Sequence, residues 1–152
     1  MRALLVALLA AVALTPAANA IQVSMLQGMH QARVDAAFAI ACHLSKYTCE
    51  GITSPRAVYS LEADSRGVSG MYWAGDPNVI IAYSTLGKTP AFQNGVLVHE
   101  VVHYLQAIEG RNVLSPCEKE AEAWEVFNIF QLKYGDVEEI VADWEERYPA
   151  CT

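Results

Sequence analysis

One pentapeptide, His99-Glu100-Val101-Val102-His103, constrains the fold of this chain more than any other feature. In an α-helix, residues four apart lie about 40° from each other on successive turns, so both imidazoles would reach one point. Glu100 would lie about 100° around the same helix, beside that point rather than at it. The spacing therefore predicts a helix that offers two nitrogen ligands to one metal ion, with a carboxylate next to the ion.

The sequence on either side of this motif predicts that its helix is buried. The helix is expected to run from about Ala91 to Glu109 and to end before Gly110, and it is apolar on nearly all sides. Buried imidazoles and carboxylates need polar partners, and one cation would serve all three groups, whereas two ordinary core histidines would need separate hydrogen bonds. A catalytic Zn²⁺ site requires one further protein ligand and an open position for water.

The third ligand is expected on the next helix, predicted from Ser115-Pro116 to Lys133 or Tyr134. Glu120 falls about 40° from the centre of the apolar face of this helix, where a carboxylate is costly unless it is paired or binds a metal. The other three glutamates fall about 120° or more from that centre and are predicted to face solvent. They are Glu118, Glu122 and Glu125.

The motif His-Glu-Val-Val-His, followed after 16 intervening residues by Glu120 in a Glu-x-x-Ala setting, resembles the gluzincin branch of the zincin metallopeptidases. It is also similar to small exported bacterial HExxH proteins. The resemblance covers about Val79 to Tyr134. It implies zinc held by His99, His103 and a helical glutamate, Glu100 as general base, hydrolysis of a peptide or protein substrate, and an edge strand from Val79 to Ser84 bordering the cleft.

Two spacings select different residues as the third ligand and its support. In many gluzincins an acidic residue four positions after the ligand orients the first histidine, and that spacing would select Glu118 as ligand with Glu122 behind it. Helix geometry instead favours Glu120, with Glu122 and Gln106 as supporting residues, since Gln106 shares the helix stripe of both histidines. The donor that stabilises an oxyanion is left open among Tyr83, Tyr104, Tyr134, Arg111, His30 and His43.

The first twenty residues read as a secretory signal peptide. The uncharged run Ala3–Leu14 follows Arg2 and precedes Ala18-Asn19-Ala20, a small-residue cleavage site. Twelve helical residues span about 18 Å, which is short of the ~30 Å hydrocarbon core of a membrane. We therefore expect an exported protein, periplasmic or extracellular, with no membrane association after cleavage.

All four cysteines, Cys42, Cys49, Cys117 and Cys151, follow this segment. An even number in a small exported chain favours disulfides, and their spacing does not resemble the close pairs of a four-thiolate zinc site. Three connectivities are open. We favour Cys42 with Cys49 and Cys117 with Cys151.

The net charge of −7 argues against nucleic acid and anionic lipid as partners, because no cluster of lysine and arginine offsets it. The length and the order of patterns predict one α+β domain over residues 21–152, and the resemblance to gluzincins implies a minimal zincin-like fold. We expect an N-terminal helix from Ile21 to about Lys46, a hairpin of 57–61 with 68–73 in a small antiparallel sheet that also holds Val79–Ser84, the two site helices, and a C-terminal helix from Asp136 to about Tyr148.

Two other functions agree with the same sequence. One is an exported zinc-binding, disulfide-stapled module that binds protein and lacks peptidase activity. The other is a disulfide-stapled acidic module in which the histidine motif is incidental. Metal content separates the last interpretation from the first two, and replacement of Glu100 separates a peptidase from a zinc-binding module.

Overall fold

The computed structural model of the chain describes residues 31–110, 113–148 and 151. The predicted signal peptide and the start of the predicted N-terminal helix lie outside these residues. Within them the chain forms four α-helices and one small sheet, and the predicted α+β class is confirmed. In chain order the elements are α1 (31–44), β1 (Arg56–Ser60), α2 (Leu61–Ser65), β2 (Gly70–Tyr72), β3 (Asn78–Ala82), α3 (Pro90–Ile108) and α4 (Pro116–Tyr134).

The sheet is mixed, whereas an antiparallel sheet was predicted. Its strand order is β1-β3-β2, with β3 parallel to β1 and antiparallel to β2. The predicted hairpin of 57–61 with 68–73 is therefore wrong, because β3 lies between these two strands. The strand predicted at Val79–Ser84 exists as Asn78–Ala82, but it is the central strand rather than an edge strand.

Local interactions explain this arrangement. The segment after β1 does not turn back but forms the short helix α2, capped by the Ser60 side chain, which accepts the N–H of Glu62. The Asp64 carboxylate at the end of α2 accepts the backbone N–H groups of Tyr83 (2.9 Å) and Ser84 (3.0 Å), just after β3. The chain is thereby held across the end of β3, whose β-branched residues suit the buried centre of the sheet.

Helices α3 and α4 begin and end close to the predicted residues. Thr89 caps α3, with Pro90 in its first turn, and Gly110 follows its end with a φ of 69°. Ser115 and Glu118 form a reciprocal capping box at the start of α4. The sequence analysis used the signals at Gly110 and at Ser115-Pro116, and all these interactions act locally.

The two site helices approach closely at Gly95, one turn before His99. A β-carbon at this position would lie 2.4 Å from Gln131 Nε2 and 2.5 Å from Phe127 Cε2 on α4. Glycine is unfavourable in a helix interior, so its use here reflects the space that the crossing leaves. This contact fixes the distance between α3 and α4, which together carry the candidate ligands.

The C-terminal helix predicted from Asp136 to Tyr148 is wrong. The structure has two short 3-10 turns instead, Val137–Glu139 and Trp144–Arg147. Between them the Asn128 side chain donates to the carbonyl of Val141 and accepts its N–H, both at 2.9 Å. Because these two bonds satisfy the backbone of Val141, they compete with helical hydrogen bonds there.

Both favoured disulfides are present. Cys42–Cys49 closes a short loop after α1, and Cys117–Cys151 ties the end of the chain to the first turn of α4. Among the described residues, no helix combines the length and apolarity needed to cross a bilayer.

Candidate metal centre

His99, His103 and Glu120 converge between α3 and α4. The two imidazole Nε2 atoms are 3.1 Å apart. The Glu120 carboxylate approaches both, with Oε2 3.4 Å from His99 Nε2 and Oε1 3.3 Å from His103 Nε2. One donor atom from each of the three residues lies within 4.8 Å of the others. The residues selected from helix geometry thus face one point.

Gln106 determines which nitrogen of His103 carries the proton. Its amide nitrogen donates to the carbonyl of Lys119 (2.9 Å) and to Glu122 Oε2 (3.3 Å), so its amide oxygen faces His103 Nδ1 at 2.8 Å. In the neutral ring Nδ1 therefore carries the proton, and Nε2 presents its lone pair to the point of convergence. This is the geometry of a histidine prepared to bind a metal.

Buried polar atoms at the site lack hydrogen-bond partners within the described parts of the chain. They include His99 Nδ1, Glu100 Oε2 and Glu120 Oε2. His99 is only 5% exposed and Glu100 4%. Two imidazole nitrogens and a carboxylate that converge in such surroundings fit a divalent cation, and the set of two nitrogens and one oxygen is one that Zn²⁺ prefers.

The electrostatics follow from burial and from the mutual proximity of these groups. Burial lowers the pKa of His99 to about 4 and raises the pKa of Glu100 to about 8. Burial opposes ionisation of Glu120 as well, yet the close approach and charge of the two histidines hold its pKa well below the usual range. For His103, burial is outweighed by the adjacent carboxylates, and its pKa is raised.

The other glutamates of α4 have different surroundings. The Glu118 side chain accepts the N–H of Ser115 (2.7 Å) in the capping box and is exposed, so the alternative spacing that made it a ligand is not realised in this structure. Glu125 is exposed as predicted. Glu122, which was predicted to face solvent and also proposed as a supporting residue, is partly buried. Its carboxylate contacts Lys46, Tyr47 and Gln106, so the solvated position is wrong.

Glu100 is positioned by a glycine on β2. A β-carbon at Gly70 would lie 2.6 Å from Glu100 Oε1 and 2.9 Å from Glu100 Cδ. The carboxyl group of Glu100 therefore rests against the backbone of this strand. Nothing in the local sequence pattern around Gly70 indicates this contact, since it depends on how the sheet packs on α3.

A cleft of about 590 Å³ leads to the site. Its walls include β2 and the residue after it, Trp73, together with His99, Glu100, His103, Lys119 and Glu120. A second cavity of about 220 Å³ adjoins His99 and Glu100 and is lined in part by Trp124, Phe127 and Tyr148. The strand that borders the cleft is thus β2, and not Val79–Ser84.

Sequence reasoning missed several residues of the site. Trp124 packs on His99, with ring centroids 4.5 Å apart. It lies one turn after Glu120 on α4, a spacing from which the contact was predictable. Arg66 and Tyr148 line both cavities but belong to segments whose placement depends on long-range packing.

The structure argues against four of the six residues that were candidates to stabilise an oxyanion. The Tyr104 hydroxyl donates to the carbonyl of Thr53 (2.7 Å), and Tyr83, Tyr134 and His43 are exposed. None of these four lines either cavity at the site. His30 and Arg111 lie outside the described residues.

Comparison of the chain with protein-family models, with curated proteins and with solved structures gave no match. Arguments about function therefore rest on the geometry of the site.

Proposed function

We propose that the chain is an exported zinc metallopeptidase of a minimal zincin-like fold. The observation that carries this proposal is the convergence of His99 Nε2, His103 Nε2 and the Glu120 carboxylate beside Glu100, at the end of an open cleft. Two disulfides support export, because they persist in oxidising compartments.

Zinc would be held by His99, His103 and Glu120. Zn²⁺ held by three protein ligands would supply Lewis acidity, which lowers the pKa of water to about 7 and polarises a carbonyl group. Gln106 contributes by fixing the ring of His103 with its Nε2 lone pair toward the site. Packing of Trp124 on His99 limits rotation of the first ligand.

Glu100 is the general base in this proposal. It is not among the three converging donors, and its carboxyl group lines the cleft beside them. From this position Glu100 accepts the proton of the attacking water and returns it to the leaving amine. In the metal-free chain burial raises the pKa of Glu100 to about 8. A divalent cation bound beside it would favour the carboxylate, which is the form that accepts a proton.

The edge of β2 is the proposed binding surface for substrate. Among the residues that the structure describes, this strand pairs with β3 alone. Gly70, Met71, Tyr72 and the following Trp73 line the cleft. An extended peptide could add to such an edge through main-chain hydrogen bonds, which depend little on side-chain sequence. The proposed substrate is therefore a peptide or an unfolded segment of a protein.

Removal and return of zinc tests the activity. We expect the purified mature chain to cleave a mixture of extended peptides, to lose this activity after dialysis against a chelator, and to recover it when one equivalent of Zn²⁺ is added. Peptide fragments would be identified by mass spectrometry. Stoichiometric zinc without any cleavage would favour the zinc-binding module that lacks peptidase activity.

Replacement of Gly70 by alanine tests the position of Glu100. The new methyl group would displace the Glu100 carboxyl, and a misplacement of about 1 Å costs about 10²-fold in rate. We expect peptidase activity to fall by about that factor while zinc affinity stays close to the native value. Gly87→Ala is a matched control, because a β-carbon there meets nothing within 4 Å. Equal activities of the two variants would contradict the assigned position of Glu100.

A further inference from the structure

A network of polar side chains connects the candidate ligand His103 to the loop closed by Cys42–Cys49. It begins at His103 Nδ1, which lies 2.8 Å from Gln106 Oε1, and continues from Gln106 Nε2 to Glu122 Oε2 at 3.3 Å. Two residues of the loop then contact Glu122. The Tyr47 hydroxyl donates to its Oε2, and the Lys46 ammonium contacts its Oε1.

The loop is held in place from several directions. The disulfide joins residues seven apart, so the six residues between them are confined at the end of α1. Tyr47 is 5% exposed and belongs to the hydrophobic core. The N–H of Thr48 donates to Glu109 Oε1 at 2.7 Å, just after the end of α3. Tyr47 is therefore a fixed donor rather than a mobile surface group.

Glu122 matters because it helps to orient the Gln106 amide, whose nitrogen also donates to the carbonyl of Lys119 at 2.9 Å. An amide with its oxygen toward His103 accepts the Nδ1 proton, whereas the flipped amide would donate there and favour the tautomer that protonates Nε2. The Glu122 carboxylate and the Lys119 carbonyl can only accept, and so both favour the first orientation. Lys46 and Tyr47 in turn hold the carboxylate at the amide.

We propose that the Cys42–Cys49 loop positions the metal ligand His103, with Tyr47 acting through Glu122 and Gln106. The inference rests on the proposed zinc site. It extends that site to the loop between Cys42 and Cys49, which precedes the sheet and both site helices in the chain. Tyr47 and Glu122 are positioning residues, since neither is one of the three converging donors.

Zinc affinity of four variants tests this network. Outer partners of metal ligands typically contribute about 10- to 100-fold to affinity, so we expect Glu122→Ala to weaken Zn²⁺ binding by about 10-fold. Tyr47→Phe leaves Lys46 in place and should weaken it by about 3-fold. In the Tyr47→Phe/Glu122→Ala double variant the tyrosine change should add nothing, because its effect passes through Glu122. Affinities would be measured by competition with a chelating dye.

Tyr104→Phe, the fourth variant, is the matched control. It also removes one phenol hydrogen bond from a buried ring, but that bond goes to Thr53 and not toward the site. We expect native zinc affinity in this variant, although its thermal stability falls as in Tyr47→Phe. Co²⁺ loaded in place of zinc gives a second measurement: its visible absorption bands should shift in Glu122→Ala and remain native in Tyr104→Phe.

The outcomes separate two failures. If the native chain binds neither Zn²⁺ nor Co²⁺, the proposed metal site is wrong and the network has no ligand to position. If the native chain binds zinc but the Glu122→Ala and Tyr47→Phe variants bind it equally well, the metal site stands and the positioning network is wrong. Additive effects of the two changes would also overturn the relay through Glu122.

Discussion

Replacing Glu100 with glutamine will lower peptide hydrolysis by about 10²- to 10⁴-fold and leave zinc binding unchanged. The amide has nearly the size of the carboxyl group but cannot accept a proton from water. Zinc affinity should persist because Glu100 is not among the converging donors of His99, His103 and Glu120. Activity would be measured on a peptide that the native protein cleaves, with zinc content determined on the same sample.

The pH dependence of stability supplies a control for this variant. In the metal-free chain burial raises the pKa of Glu100 from 4.5 to about 8, so its neutral form is favoured in the folded state. The corresponding stability is present at low pH and is lost as the pH rises through this range. The metal-free Glu100→Gln variant should lose less stability than the native chain between pH 5 and 8. Unchanged hydrolysis in a folded, zinc-loaded variant would exclude Glu100 as the base.

The second large effect is expected at Glu120. Glu120→Ala removes a carboxylate that approaches both imidazoles. Loss of an outer partner can cost about 100-fold in zinc affinity, and we expect the loss of this ligand to cost more. Glu118→Ala is the matched variant, two residues earlier on the same helix. Its carboxylate contributes to the capping box, so its loss should reduce stability by about 1 kcal/mol and leave zinc affinity unchanged.

Local signals predicted the site helices and their placement of the histidines. The caps at Thr89 and Ser115 and the glycine after α3 act within one turn, so a single sequence is enough to identify them. The proximity of Glu120 to both histidines was predictable for a similar reason. An apolar face fixes the direction of a helix, and one carboxylate on that face must meet a partner.

Long-range packing determined what the sequence did not reveal. Nothing in the local sequence of β1 indicates which strand it pairs with. The sheet order depends on α2 and on the contact of Asp64 with the end of β3. The predicted C-terminal helix had suitable periodicity, but Asn128 on α4 binds the backbone of Val141 and stops it. Tertiary interactions therefore overrode local preference at both places.

Within the site, too, local contacts were predictable from the sequence and long-range contacts were not. Gln106 was predictable because it shares a helix stripe with His103, only one turn away. Gly70 contacts Glu100 from a different element, and Tyr47 reaches Glu122 across 75 positions of the chain. Hydrophobic periodicity cannot predict such contacts, because it relates only residues within one helix or strand.

The most direct test of a shared metal ion is a zinc titration of the native chain beside Glu120→Ala and Glu118→Ala. We predict that the native chain and Glu118→Ala bind one Zn²⁺ per chain with equal affinity, and that Glu120→Ala loses this binding. A native chain that takes up no zinc, or a Glu120→Ala variant that binds as tightly as the native chain, would contradict the proposed centre.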